Sequence, residues 1–150
     1  MAVVTSSSDL FPPDPLDQPM PSKLAGILRH AIGSVACAAT DSANSMYRLA
    51  QLPSVAIMHP ETLFDVEAWG FAQVVIGSKE QTDAILDVAK SAATTQSPFA
   101  WGDANHGLEL WQVLGLAADP GGFIDIYAHA EAGATGAGSM PFCIAWVDNR

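Results

Sequence analysis

The sequence predicts a mainly β protein: a single-domain antiparallel β-sandwich or jelly-roll-like body with two or three short helices and an extended N-terminal arm. Two observations predict this class. Apolar and polar side chains alternate in the segments 64–69, 123–131 and 142–146, which is the period of a half-buried strand. Turn residues separate such segments at the spacing found in sandwiches and barrels. We expect a Pro-rich arm at 1–21 and one β-rich domain at 22–150.

The arm contains five of the ten prolines of the chain, so it can form neither a strand ladder nor a helix. It is either a disordered tail or an extended strap that becomes ordered on a neighbouring molecule. Both interpretations stay open at this point. A strap would bind through its apolar side chains, which are Leu10, Phe11, Leu16 and Met20.

The first part of the body predicts one helix and then short strands. A helix within 22–33 would be capped by Ser22 and ended by Gly33. Its apolar stripe would be Leu24, Ile27, Leu28 and Ala31. After it the sequence predicts strands at 35–39, 46–52 and 55–58, separated by a polar turn at 40–45 and a break at Pro53 and Ser54.

The segment Glu61 to Gly77 predicts two strands that meet near Gly70. In the first, Phe64, Val66 and Ala68 alternate with Asp65, Glu67 and Trp69. Trp69 therefore falls on the polar face, where a rigid aromatic ring is suited to contact a neighbour. The second strand, 71–76, is almost wholly apolar, as expected of a strand covered on both faces or lying at a subunit contact.

The remaining chain predicts two more helices and a pair of strands. Ser78 and Gln81 have capping-box form, which predicts a helix at 79–92. A further short helix should follow Asp103 and end at Gly115, before a turn at 118–122. Strands at 123–131 and 142–147 would then pair as a C-terminal hairpin. Tyr127 lies on the outward row of the first of these strands.

Composition disfavours several functions. Six Lys plus Arg against sixteen Asp plus Glu give a net charge of −10, which repels nucleic acid. No stretch reaches the roughly 20 apolar residues of a membrane helix, and no leader pattern is visible, so we expect no membrane partner. Charged residues make up only 15%, which predicts that much of the surface contacts other subunits. Cys37 and Cys143 are expected to be small buried hydrophobes.

A catalytic interpretation has one candidate cluster. Asp103 and His106 are three residues apart, and His129 could approach them from its strand, as in a metal or acid–base site. The spacing lacks the regularity of a metal motif, and Asp103 is equally explained as a helix cap. The glycines at 133–138 precede a strand, so they are a loop and no phosphate cradle. We therefore expect no catalytic residues and no cofactor.

Several strand and turn motifs carry a resemblance. They are Tyr47-Arg48, Leu52-Pro53, Asp65 to Gly70, Ile76-Gly77, Leu110-Trp111, Asp119 to Gly122 and Ile124 to Tyr127. This pattern, over about residues 34–147, resembles small virion proteins encoded near the major capsid protein of tailed bacteriophages. The resemblance implies a head or decoration role and a β-sandwich or jelly-roll-like body, and it transfers no active-site residues.

The sequence thus predicts a non-enzymatic capsid cement or decoration protein on the outer surface of the virion. Its expected partners are the major capsid protein and further copies of itself, as a dimer or trimer. The interface would involve the four apolar arm residues, Trp69 and Tyr127. A structural protein of the phage neck or tail is the first alternative, and a small metal-dependent enzyme using Asp103, His106 and His129 is the second.

Overall fold

The computed structural model describes residues 26–92 and 94–148, and within them nine strands and one α-helix. The strands are β1 (Ile27–Cys37), β2 (Met46–Pro53), β3 (Ile57–Met58), β4 (Leu63–Asp65), β5 (Gln73–Gly77), β6 (Leu86–Ala89), β7 (Thr95–Gln96), β8 (Phe123–His129) and β9 (Gly138–Asp148). The helix α1 (Leu110–Val113) is a single turn, and Lys90–Ala92 form a 3₁₀ turn.

The strands form two antiparallel sheets. One has five strands in the order β1-β9-β4-β7, with β3 also paired to β9, and the other has the order β2-β8-β5-β6. Buried side chains from both sheets form one hydrophobic cluster, in a sandwich-like arrangement. The prediction of a mainly β body is confirmed. The expectation of two or three helices is not, because the described residues contain only α1 and the 3₁₀ turn.

The helix predicted within 22–33 is wrong where the structure describes it, because β1 begins at Ile27. Every residue of β1 pairs with β9 without a register shift, from Ile27 opposite Asp148 to Cys37 opposite Gly138. Residues 22–25 lie outside the described part of the chain. Pairing with a distant strand has overridden a local helical pattern.

The helix predicted at 79–92 is also wrong. Ser78 does accept the Gln81 N–H through Oγ at 3.0 Å, but this bond closes a turn. The turn is tight, since a Cβ on Gly77 would lie 2.0 Å from the Gln81 carbonyl oxygen. The chain then doubles back as β6, antiparallel to β5. After Asp103 the chain also turns, and helical structure begins only at Leu110. The helical segments that the structure describes, α1 and the 3₁₀ turn, do not have the length and apolar character that a membrane span requires.

The predicted C-terminal hairpin does not form. β8 belongs to the four-stranded sheet and β9 to the five-stranded one, so the loop at 130–137 carries the chain from one sheet to the other. The first residue of β9, Gly138, lies very close to the backbone of the turn at 68–70. A Cβ on Gly138 would lie 2.1 Å from the Ala68 carbonyl oxygen and 2.6 Å from the Gly70 nitrogen.

An aromatic cluster fills the core beside this approach. Trp69 is fully buried, with its ring centroid 5.4 Å from those of Tyr47 and Phe71. The Tyr47 hydroxyl donates a hydrogen bond to Asp41 Oδ2 at 2.5 Å, and the Ala38 N–H donates to the same oxygen at 3.0 Å. Burial, and next the bond to Asp41, raise the pKa of Tyr47 to about 12. The hydrogen bond from Tyr47 lowers the pKa of Asp41.

Candidate interaction surface

From Ala31 to Cys37, strand β1 presents alternate side chains to the core and to solvent, while residues 27–30 are all exposed. Ala31 and Val35 pack against the hydrophobic cluster, and a Cβ on Gly33 would meet the Phe142 ring at 3.0 Å. Residues of the opposite parity therefore point outward. Two of them are large and apolar: Ile32 is 79% exposed and Leu28 is 41% exposed.

Ile32 and Leu28 each begin a row of side chains that lie opposite one another on neighbouring strands of the five-stranded sheet. Ile32 lies opposite Cys143 on β9, and Cys143 lies opposite Leu63 on β4. Leu28 lies opposite Val147, which in turn lies opposite Ile57 on β3. We call these six residues the apolar outer face: Leu28, Ile32, Ile57, Leu63, Cys143 and Val147. Leu63 is 42% exposed, and the other three are partly buried.

One polar pair lies between the two rows. His30 Nε2 donates to Glu61 Oε2 at 2.7 Å, and this bond lowers the pKa of the Glu61 carboxyl. Burial, and then the charge of Glu61, raise the pKa of the Cys143 thiol. Cys143 therefore has less thiolate character than a free cysteine. The face is suited to contact an apolar partner surface, with the hydrogen-bonded His30–Glu61 pair at its centre.

The predicted location of Trp69 on the polar face is wrong. β4 ends at Asp65, and a turn closed by the Trp69 N–H to the Val66 carbonyl, at 3.2 Å, changes the direction of the side chains. The indole has no exposed surface with which to contact a neighbour. Its Nε1–H has no hydrogen-bond partner among the described residues.

Tyr127 lies on the other sheet, away from the apolar outer face. It is partly buried and lines a cleft of about 460 Å³, together with Lys79 and Phe123. Beside it, Arg48 forms an ion pair with Asp125 at 2.6 Å. The remaining predicted interface residues, Leu10, Phe11, Leu16 and Met20, lie outside the described residues.

Of the three candidate metal ligands, Asp103 and His106 lie in one turn, where the His106 N–H donates to the Asp103 carbonyl at 3.1 Å, while His129 lies elsewhere. Asp103 accepts the Asn105 N–H at 2.9 Å, and His106 stacks on Trp101 with centroids 4.4 Å apart. His129 is buried, and its Nε2 lies 2.8 Å from the Ser78 carbonyl oxygen. Over residues 26–92 and 94–148, no group of three or more His, Cys, Asp or Glu side chains could hold a metal ion.

Sequence reasoning missed the apolar outer face. The local pattern places Leu28 and Ile32 in a helix, and it predicts no role for Leu63. The signal that was present is the alternation of Leu28, His30 and Ile32, which has the period of a strand. Trp101, which like most of the aromatic residues is expected in the core, is 82% exposed in the loop before α1.

The fold and this surface define the class: an antiparallel two-sheet β protein with an apolar outer sheet face. No family model, curated protein or solved structure matches the chain.

Proposed function

We propose that the protein is a non-enzymatic structural protein of a tailed-bacteriophage virion, a cement or decoration protein that binds the major capsid protein on the outer surface of the head. The observation that carries the proposal is the apolar outer face, with Ile32 and Leu63 at 79% and 42% exposure. An exposed apolar patch of this kind marks an interaction site. The kind of partner, a major capsid protein, is inferred from the resemblance of the strand and turn motifs to small virion proteins of tailed bacteriophages.

The charge distribution supports an outer location. The net charge of −10 opposes contact with packaged DNA. Several of the six cationic side chains are already engaged: Arg29 pairs with Asp148 at 2.7 Å, Arg48 pairs with Asp125, and Lys90 Nζ donates to the Trp69 carbonyl at 2.6 Å. A capsid exterior requires no cationic surface.

A repeated lattice strengthens such contacts. Each copy contributes a modest apolar contact, and several linked contacts act together through effective concentration. In this proposal the arm at 1–21, which precedes β1, binds a neighbouring molecule and provides the second contact. Deleting residues 1–21 should therefore leave a folded body, by circular dichroism, that attaches to particles more weakly.

The first test is the copy number of the chain in purified particles, measured by quantitative mass spectrometry against the most abundant shell protein. A ratio near one, or a simple fraction such as one third, supports the cement role. A ratio of a few per cent moves the protein to the neck or tail. Absence from particles refutes a virion role altogether.

A second test addresses the surface itself. Purified protein is added back to particles that lack it, and Leu63→Lys is compared with Met46→Lys. The two side chains are equally exposed, at 42% and 41%, but Met46 lies on the edge strand β2 of the other sheet. Leu63→Lys should reduce binding while Met46→Lys leaves it unchanged. Equal binding of both variants would remove the apolar outer face from the proposal.

A further inference from the structure

We propose that β1 is a self-pairing strand, through which two copies of this chain form an antiparallel dimer about a twofold axis at Ile32. β1 is the terminal strand of its sheet and is 11 residues long. In the part of the chain that the structure describes, it pairs with β9 alone. Its second edge therefore presents a row of backbone N–H and C=O groups, which is a template for another strand.

This edge lacks the protection that free edges usually carry. β1 contains no proline and no bulge, and its pairing with β9 has no register shift. Its single cation, Arg29, is held by Asp148. Three of the seven exposed large hydrophobic residues of the described chain lie on this strand: Ile27 at 59%, Leu28 at 41% and Ile32 at 79%. Natural edge strands avoid this combination unless a partner covers them.

The charge pattern identifies a second copy as the partner. With a net charge of −10, two copies repel each other over most of their surface. The stretch from Gln18 to Thr40, which includes β1, contains no Asp or Glu. Two copies can therefore approach through this strand without bringing carboxylates on the strands themselves face to face.

The register of the dimer follows from the backbone. In an antiparallel pair, two residues that lie opposite one another either both point their backbone N–H and C=O groups to the shared edge or both point them away. A twofold axis must therefore pass through one residue and its own copy, and not between two neighbouring residues. An axis at Ile32 uses the full length of β1, from Ile27 opposite Cys37 onward. Arg29 then lies opposite Val35, and the two arginines are about 20 Å apart along the strands. The most exposed side chain of the strand meets its own copy.

A cysteine cross-link tests this geometry in the full-length chain. Cys143 lies opposite Ile32 within one molecule and would capture a new thiol, so the background variant is Cys143→Ser. Adding Ile32→Cys should give a covalent dimer under mild oxidation. The matched control, Met46→Cys in the same background, places an exposed thiol on the edge strand β2 and should remain uncross-linked. Equal cross-linking of both would indicate random collision and overturn the proposal.

Sedimentation equilibrium provides the second measurement. The wild-type chain should be a dimer, and Ile32→Lys should raise the dissociation constant by roughly 100-fold, because two lysines replace a contact between two isoleucines. The variant should keep the wild-type circular dichroism, since Ile32 is 79% exposed. A monomeric wild-type chain, or a dimer unaffected by Ile32→Lys, overturns the proposal. If the Ile32→Cys variant is a monomer whose introduced thiol does not react, another segment such as the arm covers the edge, which also overturns it.

These measurements use purified protein in solution. A dimer that fails to bind particles would refute the proposed function and leave the self-pairing intact, whereas a monomer that binds particles would do the reverse.

Discussion

Replacing Gly138 by alanine tests the close approach of β9 to the turn at 68–70. The added Cβ would lie 2.1 Å from the Ala68 carbonyl oxygen, 2.6 Å from the Gly70 nitrogen and 3.0 Å from the Trp69 carbonyl carbon. Ordinary van der Waals contact begins near 3.4 Å. All three atoms belong to the backbone, so a side-chain rotation cannot relieve the overlap.

The expected cost has two parts. Inserting a methyl group into a closely packed site costs about 1–3 kcal/mol. Moving the two segments apart also weakens the hydrogen bond from the Ser139 N–H to the Ala68 carbonyl, 3.0 Å long, which is a loss of about 1 kcal/mol. We therefore expect Gly138→Ala to lower the free energy of unfolding by about 2–4 kcal/mol and the melting temperature by about 5–15 °C.

Urea unfolding followed by tryptophan fluorescence measures this change, with Gly136→Ala as the matched control. A Cβ on Gly136 meets nothing within 4 Å, so this variant should change stability by no more than about 0.5 kcal/mol. If Gly138→Ala unfolds at the same urea concentration as Gly136→Ala, the described approach of β9 to the turn is incorrect.

Two further predictions concern hydrogen bonds within the fold. Tyr47 and Tyr127 are the only tyrosines, so in Tyr127→Phe the absorbance of tyrosinate should report Tyr47 alone, with its pKa near 12. Because the folded pKa lies above its usual value of 10, this group's contribution to stability is complete below pH 10 and is lost between pH 10 and 12; titration near pH 10 would contradict it. Thr62 donates to the Ala145 carbonyl at 3.1 Å and accepts the Ala145 N–H at 3.0 Å, so Thr62→Val should cost about 1–3 kcal/mol in urea unfolding. Thr95→Val, at an exposed position, should cost almost nothing, and equal effects of the two would count against the Thr62 bonds.

The strands that could be predicted are those whose pattern has one interpretation. In β8 the alternation correctly predicts that Ile126 and Ala128 are buried, although His129 of the opposite row is buried too, and β5 is a buried apolar run. β1 fits two periods at once: Ile27, Leu28 and Ala31 have helical spacing, while Leu28 and Ile32 also share a strand face. Only the partner strand β9 decides between them, and local sequence does not reveal a partner so far along the chain.

The apolar outer face could not be predicted either, because it also depends on pairing with the distant strand β9. Ile32, Cys143 and Leu63 come from three separate strands and become a row only through the register of β9. The location of Trp69 is mispredicted for a different reason, because the sequence alternation continues four residues beyond Asp65, where β4 ends. A turn reverses the parity of side chains, and nothing in the alternation marks where the strand stops.

The full pairing of β1 with β9 also constrains how the chain folds. Arg29 on β1 and Asp148 on β9 are hydrogen-bonded to each other across this strand pair, yet they are separated by 119 positions in sequence. β3 and β4 also pair with β9, so three strands of the five-stranded sheet depend on a partner that is the last of the described strands in the sequence. During synthesis these strands emerge long before their common partner. Closure of this sheet is therefore a slow, non-local step, and until it occurs the nascent chain exposes strand edges that are prone to aggregate.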